Sequence, residues 1–596
     1  MLNEKKHRNS IKAISFFIIL CLLCIGLGRF FIPHFSLESN FYGKKAFNEQ
    51  PVNSIETVLI GSSVIYHGLS PMEMYEAHGI SVWDLGSSYQ PTSASYYLLQ
   101  EAYRLHSETL KTVVFDPFEL TRETNTYMRR LIMDAMKYYD LKFKANIGFT
   151  DTITDAAVYT FPLISYHNRW SEISREDFNK DRDYRPYLRG YYLDTEKSHF
   201  DTYEYSELEV PDYTADPEKE EAHFDKEALV YFKKIIDFCM EKDLKLVIIK
   251  TPMSMHWGNS EHNAMVKIAD DYGLEFYDFN YDPLFTDIGF NYATDLKDTD
   301  HMNYYGVRKL TAWLGDYLVN ECSAADVRGM DGYEHLEKEL TEYQKRVKDL
   351  VALRAENDPA KYLSRALAHD DYTVFISAKD DAASYLTQEQ RLTFSDLGLP
   401  ALSVLASRDS YLAVIDPVCG LLYEDTEKDP GEGEEGEPEV DNLAVMEQTG
   451  VEDLRQSRQS IQSDESEQEQ DENDRLLEFE GNLSDGGYYV IKSGGENLGG
   501  KASCIINDIE YAADGDGLNI ILYDNSTGEV VDNTVFNTSV SPTRLGNDLE
   551  AELKTVMDNN VNYDDMPLPL QKLILYNTRC EEARSAGPVD AEEDDE

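Results

Sequence analysis

From Glu56 to about Asn320 the chain alternates short apolar runs with amphipathic ones. Val58, Leu59 and Ile60 lead into Gly61; "ISVWDLG" spans Ile80 to Gly86, "TVVFD" Thr112 to Asp116, "LKLVIIK" Leu244 to Lys250 and "LEFYDFN" Leu274 to Asn280. Runs this short and apolar predict buried strands. Between them, "SASYYLLQEAYRL" (Ser93 to Leu105) and "FKKIIDFCMEKD" read as helices. Strand and helix in alternation predict an α/β domain over residues 50–320, built on a parallel sheet covered on both faces. Residues 120–225 interrupt it. This insertion is tyrosine-rich and carries "YHNRW", Tyr166 to Trp170; it reads equally as a lid or substrate wall over the sheet edge and as a purely structural excursion.

Beyond that domain, Leu336, Leu340, Tyr343, Val347 and Leu350 recur at three- and four-residue steps among charges. They predict an amphipathic connecting helix within residues 333–368 that spaces two domains. A smaller β-rich domain is expected from 371–423 and 480–555. Between its halves, residues 424–476 hold about twenty acidic residues among Gly, Ser and Gln, a composition too polar to order itself. The acidic tail, 582–596, is similar.

At the other end, Lys5, Lys6, Arg8 and Lys12 precede an apolar run from Ala13 to Gly28, which Arg29 interrupts before Phe30 to Ile32. An arginine can snorkel to the membrane surface, so 13–32 is expected to be a single transmembrane signal anchor. Positive charge before it places 1–12 in the cytoplasm and the bulk of the chain on the extracytoplasmic side of the cell membrane. A cleaved signal peptide is the alternative.

With 596 residues the chain exceeds a single core, and 111 acidic against 55 basic residues give a net charge of -56. Such a surface repels phosphate backbones and anionic headgroups, which argues against nucleic-acid binding. Of seven cysteines, Cys21 and Cys24 lie in the anchor; Cys239, Cys322, Cys419, Cys504 and Cys580 are scattered without a metal-ligand or disulfide framework. They read as buried singles, with a Cys419 to Cys504 bridge left open. The acidic stretch lacks a regular Asp-x-Asp-x-Asn-Gly loop, and neither a metal nor a cofactor is expected.

The candidate chemistry begins at "VLIGSSVIYHG", Val58 to Gly68, where a strand ends in Gly-Ser-Ser. Active sites of open α/β sheets sit at that edge, though the same residues also make a tight turn. The second clue is "DLKDTDHMNYYG", Asp295 to Gly306. Asp298 and His301 stand three apart, so the carboxylate can reach the imidazole and fix its tautomer for general-base work. A polar cap for the following helix is the alternative.

A serine after the first strand and an Asp-x-x-His before the last helix follow the chain order of the SGNH (GDSL-like) hydrolase superfamily, which this region resembles. The resemblance implies a three-layer α/β/α, flavodoxin-like fold. Ser63 matches the nucleophile, His301 the base, Asp298 its orienting acid, and Gly86 in "DLGSSYQP" the glycine whose amide serves the oxyanion hole. The texture is similar to bacterial membrane-anchored members such as the D-alanyl transfer protein of lipoteichoic acid synthesis. That likeness implies an acyltransferase or esterase acting on acetyl or D-alanyl esters of cell-wall or surface glycopolymers, with a multipass membrane O-acyltransferase as a further partner. The family's Gly-x-Asn-Asp block is absent, replaced by "FDPFEL". Its asparagine donor is therefore missing or supplied otherwise, with Gln90 as a candidate; one such donor contributes about 2.7–4 kcal/mol to the transition state. Ser62 is an alternative nucleophile. His67, His256 and His262 are weaker bases and read as polar surface or pocket residues.

The second region carries "VFISAKDDA", "RDSYLAVI", "GDGLNI" and "STGEVVD". As a set these resemble the interleukin-like EMT inducer (ILEI) domain, in reversed order. The reversal implies a circular permutation, with the acidic stretch bridging the natural ends. The family implies a lectin-like module that binds glycan. Asp380, Asp381, Arg408 and Asp409 are its candidate sugar contacts, with strand and turn capping as the alternative. A competing reading of the whole chain is a noncatalytic glycan-binding or assembly protein on a degenerate SGNH fold. The lost block favours that reading; Ser63, Asp298 and His301 together favour the enzyme.

Overall fold

The computed structural model describes residues 15–16, 19, 26–28, 31–32, 40–171, 185–196, 223–254, 258–427, 476–483, 487–495, 500–513, 515–525 and 528–538. They form two compact units that divide after Val351. Residues 1–12, most of the expected anchor, the acidic residues 428–475 and the tail lie outside the described residues. Among the described residues no helix is long and apolar enough to cross a membrane.

The first unit is α/β. Its five strands, β1 (Thr57–Ile60), β2 (Val82–Asp84), β3 (Thr112–Phe115), β4 (Lys245–Lys250) and β5 (Glu275–Asp278), pair in parallel in the order β2-β1-β3-β4-β5. Successive side chains of a strand point to opposite faces. Val58, Ile60, Val113, Phe115 and Ile248 therefore share one core with helices over Thr92–His106 and Lys226–Glu241. Leu59, Val114, Val247 and Ile249 share the other with helices over Pro71–His78, Tyr304–Cys322 and Glu334–Arg354. Both faces are covered, which is why the runs 58–60, 113–115 and 246–249 at the centre of the sheet are apolar without interruption. Side-chain caps start several of these helices. Asp225 accepts the Ala228 N–H (2.8 Å), and Ser70 caps a helix that has Pro71 at its first position.

The insertion packs on both faces. In chain order, α1 (Thr126–Asp134) and α2 (Tyr139–Phe149) lie against the first core through Met128, Leu131, Ile132 and Ala145, while α3 (Ile153–Thr160) packs on α2 and α4 (Pro162–Ser165) on α3. Residues 185–196 return to the second, where Leu188 and Tyr191 are buried. Arg189 pins this return: its Nε donates to the Val82 carbonyl (2.7 Å), its Nη1 to Glu339 (2.8 Å), and its own carbonyl accepts the Asp84 N–H (2.9 Å). The next residue must be glycine. Gly190 has φ +87°, and a Cβ there would lie 1.9 Å from the Asp84 carbonyl oxygen.

The second unit holds nine strands, β6 (Tyr372–Asp380), β7 (Ser410–Asp416), β8 (Gly420–Glu427), β9 (Leu477–Asn482), β10 (Tyr488–Gly495), β11 (Lys501–Ile506), β12 (Ile509–Glu510), β13 (Gly517–Asp524) and β14 (Glu529–Phe536). β6 is the hub, antiparallel to β7 and β13 and parallel to β10 at Gly494 and Gly495. One face of β6 packs on helices through Val374 and Ile376. Phe375 turns the other way, to Tyr489, Ile491 and Cys504.

Two expectations about this unit are corrected. The acidic stretch does not begin at residue 424: β8 runs on to Glu427, because the Glu424 carboxylate accepts the N–H groups of Ala401 and Leu402 and the hydroxyl of Tyr411. At its far end β9 already starts at Leu477. No Cys419 to Cys504 bridge forms. The expectation of buried single cysteines holds for Cys239 and Cys504 but not for Cys419, exposed between β7 and β8, or Cys322, half-buried; none of the four is in a disulfide.

Candidate active site

β1 ends at Ile60, and Gly61 turns the chain so tightly that a Cβ there would press on Ile65 and Asp116 at 3.2 Å. Ser62 occupies the cap position of the short helix Ser63–Tyr66, which leaves the Ser63 side chain free to face the neighbouring loop. That loop is Leu296 to Met302, closed by an antiparallel bridge and by the Lys297 N–H donating to the His301 carbonyl (2.9 Å). Ser254, after β4, ties it down by donating its N–H to the Thr299 carbonyl (2.9 Å).

Ser63 and His301, 238 residues apart, meet there: Oγ stands 2.8 Å from Nε2. On the far side of the ring, Nδ1 lies 2.9 Å from both oxygens of Asp298. A carboxylate in that position holds the proton on Nδ1 and turns the Nε2 lone pair to the serine hydroxyl. Asp298 also accepts the N–H groups of Asp300 and His301, each at 2.9 Å. Burial pushes its carboxyl upward, but the hydrogen bond and charge of His301, with those two amides, outweigh it and hold the group below the usual carboxylate range.

The expected oxyanion donors are engaged elsewhere. The Gly86 N–H donates to Asp84 Oδ1 at 2.6 Å. Asp84 is buried at the end of β2, where loss of water lifts its carboxyl well above the usual range, and the Gly86 amide and the Lys44 charge offset that. Gly86 is required for a different reason: a Cβ would sit 2.4 Å from Ile65 Cγ2. Gln90 is a clasp of the same loop. It accepts the Ser87 hydroxyl (2.7 Å) and donates Nε2 to Ser95 (3.0 Å). The donor left beside the nucleophile is the N–H of Ser63 itself, which meets no acceptor among the described residues.

The other candidates fall outside the catalytic line. Ser62 is buried beside Glu119, whose carboxyl burial raises to about 7. His262 is buried and paired with Asp278 at 2.8 Å. His256 lies outside the described residues. Among the described residues "YHNRW" makes no contact with Ser63, Asp298 or His301: Tyr166 donates to Asp134, and Trp170 packs on Phe31. A different part of the insertion forms a wall of the site, through Tyr192.

His67, which the sequence offered as a weaker base or a polar surface or pocket residue, is buried against His301. Its ring centroid lies 4.6 Å from that of His301 and 4.4 Å from that of Tyr192. Burial, then the charges of His301 and Lys297, hold its imidazole well below the usual histidine range, so it packs there neutral. Its Nδ1 is buried without a hydrogen-bond partner. The signal was the spacing: His67 follows Ser63 by four residues, one helical turn. At the rim, the Arg122 guanidinium covers Phe118 (4.4 Å) and Tyr89 (5.4 Å), and Tyr89 is half exposed with φ +45°.

In the second unit the four candidate glycan contacts are largely turn-makers. Asp381 accepts the N–H groups of Ala383 and Ser384 (3.0 Å each) and the hydroxyls of Ser384 and Ser407. Asp409 accepts the Ala406 N–H at 3.1 Å, and Arg408 takes a left-handed conformation with φ +72°. Asp380 alone faces another acid. Burial, then the hydrogen bond and charge of Asp516, push its carboxyl up to about 6.

Neither a family model nor a curated protein matches this chain.

Proposed function

We propose that the first unit is a serine-dependent acyltransferase or carboxylic-ester hydrolase of SGNH type. The observation that carries this reading is the line Ser63 Oγ, His301 and Asp298, with contacts of 2.8 and 2.9 Å, at the carboxyl edge of a parallel sheet. His301 Nε2 takes the hydroxyl proton as Ser63 Oγ bonds to an ester carbonyl carbon. The tetrahedral oxyanion accepts the Ser63 N–H, and collapse expels the alcohol with the proton returned from His301. Water or an acceptor hydroxyl then repeats these steps in reverse and releases the acyl group from Ser63.

With Gly86 bound to Asp84, one donor remains where acyl-transfer sites commonly use two. A missing donor lowers turnover about a hundredfold to a thousandfold, which suits a transferase or a slow esterase better than a fast hydrolase. The apolar, positively flanked N-terminal run supports membrane anchoring with this unit outside the cytoplasm, and hence acetyl or D-alanyl esters of a surface glycopolymer as substrate class. The second unit, on its ILEI-like motifs, would hold that polymer. The engagement of Gly86 and Gln90 favours one alternative, a noncatalytic glycan-binding protein with a silenced site.

Labelling of the full chain by a fluorophosphonate, with turnover of p-nitrophenyl acetate, distinguishes the two. Both signals are expected in the parent and absent from Ser63→Ala and His301→Ala. A folded parent that neither labels nor turns over supports the noncatalytic alternative.

A further inference from the structure

The insertion carries a run of exposed apolar side chains that contributes nothing to the Ser63, His301 and Asp298 line. Tyr127, Ile147, Ile153, Tyr159, Ile164 and Trp170 are all exposed, Ile153 by 71% and Trp170 by 68%. Single exposed apolar side chains are ordinary, but six on consecutive elements between residues 127 and 170 are not. They are spread over α1 to α4 and the short turn His167–Ser171, with α2 packed on α3 and α3 on α4.

Two further observations indicate what covers this surface. Gly28, at the end of the N-terminal apolar run, and Phe31 just after it meet the first unit at this place. Gly28 lies against Pro162 and Leu163, Phe31 packs edge-on to Trp170 with centroids 4.6 Å apart, and Arg169 donates to the Phe31 carbonyl (2.9 Å). The charge also differs here. With the ion pairs Lys142–Asp134 and Arg129–Glu227 set aside, Arg130, Lys137, Lys144 and Arg169 face solvent here against Asp140, Asp151 and Asp155, in a chain whose net charge is -56. An apolar surface with exposed Trp and Tyr, and without the acidic excess of the rest of the chain, fits the headgroup layer of a bilayer.

We infer that α1 to α4 and the turn after them lie on the lipid bilayer at the point where the N-terminal apolar run leaves the unit. This second attachment is independent of the acyl-transfer reading. It brings the base of the insertion down to the membrane, so the first unit is held at a defined height and orientation.

Trp170 reports on this directly. The full chain is reconstituted in vesicles of phosphatidylcholine and phosphatidylglycerol, three to one, with and without bromine on the acyl chains. The Trp170 signal is the emission difference between the parent and Trp170→Phe. Bromine is expected to quench it about twofold or more while aqueous iodide leaves it unchanged, as for an indole at the lipid boundary. Ile153→Glu combined with Ile164→Glu is expected to reverse both responses while the chain stays in the vesicle fraction. Iodide quenching without bromine quenching in the parent would overturn the inference, because the surface then faces water. Protection from both quenchers would overturn it too, in favour of a protein partner or a second copy.

Discussion

The imidazole of His67 packs on that of His301, 4.6 Å between centroids and tilted by 44°, one helical turn from the serine that His301 contacts. A buried neutral ring behind the base restricts its rotation and leaves one orientation in which Nε2 faces Ser63. His67→Ala opens a void behind His301 and is expected to lower kcat/KM about tenfold or more, mostly through kcat, with little change in KM. His67→Phe keeps the ring and is expected to recover most of the loss. If Phe is as damaging as Ala and the acid limb of the pH profile shifts, the imidazole acts by its nitrogen rather than by its shape.

Asp298 acts on His301 through Nδ1 at 2.9 Å. Asp298→Asn can keep the two backbone bonds from Asp300 and His301 while favouring the wrong imidazole tautomer. The expected fall in kcat is about ten-thousandfold, with folding preserved, as measured by turnover of p-nitrophenyl acetate and by thermal melting. A loss of tenfold or less would mean that Asp298 serves mainly as the cap of its loop.

How far the chain discloses this arrangement follows from where the physics is local. The sheet was legible because its central strands are buried on both faces and carry unbroken apolar runs; "TVVF" and "LVII" admit little else. The pairing of Asp298 with His301 was legible because both lie on one turn. The behaviour of Gly86 was not. Whether its amide faces a substrate or Asp84 depends on the burial of Asp84 and Lys44, which comes from packing distant in sequence. The extent of β8 was hidden for a similar reason: acidic composition suggested disorder at Glu424, and only the fold shows two helix N–H groups waiting for that carboxylate.

Glu101 is a buried acid that accepts the N–H groups of Lys137 (2.8 Å) and Tyr138 (3.1 Å). Loss of water, opposed by those bonds, raises its carboxyl to about 7. Between its unfolded value near 4.5 and 7 the folded state binds the extra proton, so this group's contribution falls as pH rises through that window and is flat above it. Glu101→Gln keeps an acceptor for both amides without a charge. It is expected to be more stable than the parent at pH 8 by roughly 1–3 kcal/mol and about equal at pH 4.5, in urea unfolding monitored by circular dichroism. An equal difference at both pH values would assign the effect to packing.

Arg189 links the insertion to the sheet. Fully buried, it contacts the Val82 carbonyl and Glu339, and its guanidinium covers Trp83 at 4.6 Å. Arg189→Met would leave the Glu339 carboxylate buried without its cation, and destabilisation of about 3–5 kcal/mol is expected. Adding Glu339→Leu removes the stranded charge and should recover most of that loss, because an apolar pair of similar volume avoids the desolvation of both ions. Stability and activity should then part company. Arg189 fixes the segment that presents Tyr192 to His67, so the double variant is expected to melt near the parent while kcat/KM stays several-fold low. Full recovery of both would mean that the wall over the catalytic pair is held by its other contacts, the Tyr192 N–H to the Tyr66 carbonyl (2.8 Å) foremost.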